Sequence, residues 1–265
     1  NIVSAVDEDG QEIVVIGKGI GYRAQKGAAI PEPQVEKVFR MSSQKETDRL
    51  KELFGSLPQD HIEVSNEIIA YAAEHLGKRL NESIYITLTD HISFSINRFN
   101  QGMNFHSALL SEIRQFYPEE YEVGRYGLRL IEQRTGIRLP EEEAASVALH
   151  IINAEYDTSM SDSFHITRLM EQILSLIRQE AGLPLQEQTY YEERFLTHLK
   201  YLTSRIIKKK PLPEGDDVLY SLMLGQYPQA VAVAKKAAEY VLRENQYPLT
   251  PEEIACLAIH LKKMM

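Results

Sequence analysis

Four of the eight histidines in this 265-residue chain fall at duplicated places: His91 with His150, and His198 with His260. The spacings within the pairs are similar, 150 − 91 = 59 and 260 − 198 = 62 residues. The first histidine of each pair is followed by an aromatic residue three positions on and an arginine seven on: His91, Phe94 and Arg98 in one copy, His198, Tyr201 and Arg205 in the other. On a helix these steps share one face. A neutral imidazole near physiological pH is a competent nucleophile that can accept a phosphoryl group. An arginine on the same face could steady the arriving phosphate through charge-assisted bonds. The bland alternatives are a buried, hydrogen-bonded histidine in each bundle and a solvated arginine. Packing explains repeated apolar seams, but it does not require histidine twice at two sites. Metal chemistry has a poor signal: there is no His-Glu-x-x-His, no Cys-x-x-Cys, and Asp90-His91 has the wrong order for a His-Asp phosphohydrolase doublet. No metal and no cofactor are expected. His61, His75, His106 and His165 have no partner in the repeat and read as surface or loop residues.

The elements carrying these residues must be helices. From Leu50 onward the apolar spacing is helical; Ile84, Leu88, Ile92, Ile96 and Phe99 fall on one face. The region also repeats itself. Tyr117-Pro118 is echoed by Tyr227-Pro228, Leu139-Pro140-Glu141-Glu142 by Thr250-Pro251-Glu252-Glu253, and Val147-Ala148-Leu149-His150 by Leu257-Ala258-Ile259-His260, with one residue of slippage. Thr250, Pro251 and Glu253 make a capping box for the last helix, whereas Leu139 stands where the first copy needs its cap.

Residues 1–39 read differently, as short β-rich runs broken by Asp9-Gly10 and by the glycines at 17, 19 and 21. Gly17-Lys18-Gly19-Ile20-Gly21 alone is a weak motif and reads as a tight-turn cluster. So small an all-β unit needs dimerisation or support from its neighbours. Residues 42–47 are polar and read as a linker. The formal net charge of −9 opposes broad nucleic-acid affinity. Any such contact must be local. Cys256 is the only cysteine, in an apolar stretch, and reads as a small hydrophobe in a reducing, cytoplasmic protein without a leader or membrane span. The chain opens on Asn1, directly into a strand-like run, so a truncated start is expected.

Leu88-Thr89-Asp90-His91-Ile92, Val147 to Glu155, Arg194 to Lys200 and Leu257 to Leu261 resemble tandem sugar-phosphotransferase-system regulation domains. Asn1-Ile2-Val3, Asp9 to Ile20 and Val35 to Phe39 resemble the co-antiterminator RNA-binding domain of β-glucoside and sucrose operon antiterminators. The resemblance covers essentially the whole chain. It implies a multidomain fold: a small all-β RNA-binding domain with its linker at 1–47, then homologous all-α bundles at 56–160 and 162–265.

The resemblance also implies a homodimer that binds a leader mRNA hairpin and prevents a terminator from forming. Its RNA-facing residues would be Asn1, Gly17, Lys18, Gly19, Tyr22 and Arg23. Glycines allow close backbone approach, Tyr22 can stack on a base, and Lys18 and Arg23 neutralise phosphate. Core packing is the alternative for Tyr22. The family carries further residues before Asn1 and more often has arginine at position 18; if Asn1 is the true start, impaired or lost RNA affinity is expected. His91, His150, His198 and His260 would accept phosphate, the first pair from a sugar permease (enzyme II) and the second from the carrier HPr. The protein would be an acceptor, not an enzyme. Two other readings compete. A DNA-binding activator with the same regulatory domains would need an N-terminal helix-turn-helix, which the β-rich start opposes. A metal hydrolase would need bound metal.

Overall fold

The computed structural model describes the chain except residues 1, 18, 23, 36, 41, 42, 104, 184–189 and 213–216 and the side chains of Ile2 and Gln44. It divides into two compact units, Asn1–Thr158 and Ser159–Met265.

The first unit opens with an antiparallel sheet of β1 (Ile2–Val6), β2 (Glu12–Ile16) and β3 (Lys37–Phe39), in that order. The β1–β2 turn closes on Asp7, whose carboxylate accepts from the backbone N–H of Asp9 and of Gln11, while Gly10 supplies the left-handed φ of +80°. Alternation along β2 sorts its side chains between two faces. Val14 and Ile16, with Phe39, join the core of the helices that follow. Ile13 and Val15 pack with Ile20, Val3, Ala5, Ile30, Val35 and Val38 in a separate, smaller cluster.

The polar segment at 42–47 is not simply a linker. Helix α1 (Gln44–Ser56) starts inside it, and Ser43 Oγ accepts from the Glu46 N–H at 3.3 Å. Ser43-x-x-Glu46 is a helix-start pattern that polarity alone concealed. Leu50 and Phe54 of α1 bury against the sheet, and Phe39 meets Phe54 and Tyr85 edge-on at ring separations of 5.8 and 4.6 Å. Lys51 Nζ reaches Glu12 at 2.7 Å. The small sheet thus draws its support from neighbouring helices.

Five helices complete this unit: α2 (Gln59–Leu76), α3 (Ile84–Asn100), α4 (Leu110–Phe116), α5 (Pro118–Thr135) and α6 (Glu142–Tyr156). The second unit repeats them as α7 (Met160–Ala181), α8 (Tyr190–Ile207), α9 (Val218–Gln226), α10 (Pro228–Asn245) and α11 (Pro251–Met264). In the first bundle α2 packs on α3 and α5, and α6 packs on α3, α4 and α5. The second bundle repeats each of these contacts. Ile84, Leu88, Ile92 and Ile96 are buried as their spacing demands, while Phe99, in the last turn of α3, stays 43% exposed.

Two local features seat α6 and α11. Gly124 lets α5 approach α6 so closely that a Cβ there would lie 2.1 Å from the Ala144 carbonyl oxygen. Thr250 forms the expected capping box with Glu253, whereas α6 begins after Glu141 with no side-chain cap. Gly124→Ala is expected to destabilise the first unit by about 1–3 kcal/mol through overpacking, and Thr250→Ala the second by about 1 kcal/mol through loss of the cap. Thermal melts of the full chain followed by circular dichroism check both.

Candidate functional site

Helix α3 presents His91, Ser95 and Arg98 at steps of four and three, and α6 presents Glu143 and His150 two turns apart. The packing of α3 on α6 brings all five together. The rings of His91 and His150 lie 4.7 Å apart, tilted by 40°. Glu143 is 2% exposed and sits between the two helices, its Oε2 3.2 Å from His91 Nε2 and its Oε1 paired with the Arg98 guanidinium. Ser95 Oγ donates to Glu143 Oε2 at 3.0 Å and lies 3.3 Å from His91 Nε2. A carboxylate this deeply buried requires such partners. Burial pushes the Glu143 pKa up, but the bond to His91 and the charges of His91 and Arg98, with the Ser95 bond, outweigh it and hold it below the usual range. His150 is buried, and burial first, then the neighbouring His91, hold its pKa well below the ordinary imidazole value.

The second unit rebuilds the arrangement from α8 and α11. The rings of His198 and His260 stack at 5.0 Å and 19°, and Arg205 Nη2 meets Glu253 Oε1 at 3.0 Å, the carboxylate side chain being 1% exposed. Leu202 stands where the first copy has Ser95, and among the described residues no ion pair joins His198 to Glu253. Burial, His260 and Arg205 push the His198 pKa down to about 4. Burial, with Arg194, also lowers that of His260. Both rings are neutral at physiological pH.

The structure therefore brings together each expected histidine pair and each expected arginine, and adds two residues that the sequence reading passed over. Glu143 and Glu253 each lie seven residues before the second histidine, and each neutralises the arginine that lies seven after the first. Matching Glu142 to Glu253 set the one-residue slippage on the wrong side of this acid. Phe94 and Tyr201 turn outward and are 58% and 56% exposed.

One unpaired histidine is also corrected. His61 is no surface or loop residue: it lies on α2, 8% exposed, with Nδ1 3.2 Å from Ser93 Oγ. Its burial on α2 and its bond to the α3 serine make it a core histidine. His75, His106 and His165 are exposed, His106 in a loop and the others on helices. Among the described residues no cluster of three or more His, Cys, Asp or Glu side chains is arranged to hold a metal ion, and no helix is long and apolar enough to cross a membrane.

Of the residues expected to face RNA, Asn1, Lys18 and Arg23 lie outside the described residues. Gly17 is buried, and a Cβ there would meet the Gln34 carbonyl oxygen at 1.7 Å. Gly19 has φ +72° with open space around it, and Tyr22 stands 76% exposed in the turn that its N–H closes on the Gly19 carbonyl at 2.8 Å. Gly17 is fixed by packing. Tyr22 is not in the core.

A β-sheet module joined to a twice-repeated helical bundle, each bundle holding a histidine pair beside a buried ion pair, is the architecture of a regulatory protein with separate reading and sensing parts. Comparison with known proteins makes this specific. The CAT RNA binding domain family matches residues 1–48, and the PRD domain family matches residues 66–154 and 171–264. Transcription antiterminator LicT of Bacillus subtilis (strain 168) is 37% identical over 265 residues, spanning 100% of this chain and 96% of the relative. The beta-glucoside operon antiterminator of Dickeya chrysanthemi is 35% identical over 100% of this chain and 93% of its own. A crystal structure of GlcT CAT-PRDI aligns with TM-score 0.53 and 34% identity over 58% of this chain and 92% of that one. The chain belongs to the family of transcription antiterminators built from a CAT RNA-binding domain and two PRD domains. The family is one of regulators rather than enzymes.

The pKa of His198 fixes a pH dependence. Between the ordinary imidazole value of 6.5 and about 4, the unfolded chain binds a proton that folded His198 does not. Stability conferred by the neutral ring is full above 6.5 and falls as pH drops through that window. The melting temperature of the full chain is expected to fall between pH 7 and pH 4.5, and His198→Gln to make that fall shallower by roughly a few degrees. Scanning calorimetry across the range checks it.

Proposed function

We propose that the protein acts as a homodimer that binds a leader mRNA hairpin of a sugar-utilisation operon and blocks formation of an overlapping terminator, under control of histidine phosphorylation by the sugar phosphotransferase system. The observation that carries this reading is the duplicated histidine pair, with rings 4.7 and 5.0 Å apart beside a buried arginine–glutamate pair in each bundle. His91 and His150 take phosphate from the sugar permease (enzyme II), which inactivates. His198 and His260 take it from HPr, which activates. Each phosphate adds roughly 1.5 to 2 negative charges. Each bundle carries beside its histidines an arginine already held by glutamate, so phosphate competes with Glu143 for Arg98 and with Glu253 for Arg205. That competition loosens the tie between the two histidine helices and shifts the dimer between states.

RNA is met by Asn1, Lys18, Gly19, Tyr22 and Arg23, while buried Gly17 serves the packing of this module. The exposure of Tyr22 supports a stacking role. The protein works in the cytoplasm, with domain limits at 1–47, 56–160 and 162–265. The chain incubated with phosphoenolpyruvate, the first phosphotransferase enzyme, HPr and a sugar permease domain is expected to gain phosphate at His91, His150, His198 or His260, mapped by mass spectrometry. Phosphate on none of them refutes the regulatory half. A gel-shift assay against an RNA hairpin and duplex DNA tests the other half. Preference for the duplex refutes it, and Tyr22→Ala is expected to weaken hairpin binding about tenfold, in line with roughly 1–3 kcal/mol per stacked base.

A further inference from the structure

The two first histidines of the repeat differ in which ring nitrogen is engaged or enclosed. In α3 the Nε2 atom of His91 faces Glu143 Oε2 at 3.2 Å and Ser95 Oγ at 3.3 Å. Ser95 spends its own proton on Glu143, so both oxygens at His91 Nε2 are acceptors, and they hold the ring in the tautomer that carries hydrogen on Nε2. The lone pair is then on Nδ1. In the second unit Leu202 replaces the serine, and the sealed atom is the other one: His198 Nδ1 is buried with no hydrogen-bond partner. His150 Nδ1 is sealed in the same way, and His91 Nδ1 is not among these sealed atoms.

Resting on the phosphorylation reading above, we propose that His91 accepts phosphate on Nδ1, giving 1-phosphohistidine, with Glu143 as its positioning residue, whereas His198 accepts it on Nε2, giving 3-phosphohistidine. At His91 the Nδ1 lone pair forms the new N–P bond while the N–P bond of the donor phosphohistidine breaks, its electron pair returning to the donor imidazole. His91 becomes a positively charged ring whose Nε2–H is directed at the Glu143 carboxylate, a charge-assisted bond that stabilises that ring. Loss of this proton and uptake of one by the donor ring complete the balance. Among the described residues no carboxylate pairs with His198, and its Nδ1 is buried, so Nε2 is the nitrogen assigned to phosphorus. The first histidines of the two repeats thus carry different phosphohistidine isomers.

The first test needs no phosphate. Long-range ¹H–¹⁵N NMR of the full chain labelled with ¹⁵N-histidine, with His91 assigned by the signals missing from His91→Gln, is expected to show hydrogen on Nε2. Hydrogen on Nδ1 of His91 overturns the proposal. The second test phosphorylates the full chain with the donors named above and reads the isomers by NMR and by antibodies specific for each. The expected result is 1-phosphohistidine at His91 and 3-phosphohistidine at His198. The 3-isomer at His91, or the 1-isomer at His198, overturns the proposal. Phosphate on no histidine refutes the phosphorylation reading, and the tautomer of His91 still judges the assignment made here. Glu143→Gln is expected to slow uptake at His91 on the order of tenfold relative to His198 in the same chain, as a neutral bond replaces a charge-assisted one. An unchanged ratio overturns the role of Glu143.

Discussion

The buried arginine–glutamate pair is the interaction on which each bundle depends. Glu143 and Glu253 are 2% and 1% exposed, and an ionised carboxylate at that depth is expensive unless paired and hydrogen-bonded. Arg98 and Arg205 meet that requirement from a different helix in each unit. The pair therefore ties α3 to α6 and α8 to α11, the helices that carry the histidines. Because each acid stands two turns before the second histidine and each arginine two turns after the first, satisfying the acid also brings the rings side by side. The geometry of the histidine pair follows from a charge constraint one layer deeper.

The same constraint leaves the two repeats chemically unequal. In the first, Ser95 extends the acid's reach to His91, and the network contains a histidine, a serine, an arginine and a carboxylate. In the second, Leu202 stands in place of that link, and Glu253 bonds to the arginine and to its own cap at Thr250. Thr250 draws a second bond from Glu253, whose Oε2 accepts from the Thr250 N–H at 3.1 Å. The first repeat has no such cap, and Glu143 instead has both oxygens directed at α3. The acid at the matching place is thus turned toward the histidine in one copy and toward the helix start in the other.

Much of this was legible in the sequence because repeated chemistry is visible as repeated letters. The histidine pairs, the two arginines, the all-helical character after Leu50 and the Thr250 cap follow from spacing alone. The buried acids were harder to see because glutamate is common at helix starts, and Glu141, Glu142 and Glu143 in a row offer three candidates for one partner. Only burial separates them: Glu143 lies on the inner face, whereas Glu141 bonds to the Tyr121 hydroxyl. The start of α1 was hidden by polarity, since residues that favour a linker also favour an N-cap. His61 was misplaced because a lone histidine carries no periodic signal, and its burial depends on Ser93 of a neighbouring helix. Ser95 was passed over for the same reason: its importance arises only when α6 brings Glu143 beside it.

Helix α3 has a second attachment, to the sheet. Tyr85 in its first turns packs edge-on against Phe39 of β3, and Lys37 Nζ lies 4.9 Å over the Tyr85 ring. His91 follows six residues later, about 9 Å along the same axis at 1.5 Å per residue. One straight element therefore touches the RNA-binding module at one end and the first histidine pair near its middle. A helix is stiff over that length, and close-packed contacts respond to displacement by exchanging partners rather than by stretching. A change in the Arg98–Glu143 tie that moves α3 against α6 must also move Tyr85 against Phe39, whose side chain is wholly buried and has little room to absorb it. Coupling between two sites requires a shared element with defined contacts at each. Within the first unit α3 meets that requirement, since it carries both His91 and the Tyr85 contact with the sheet.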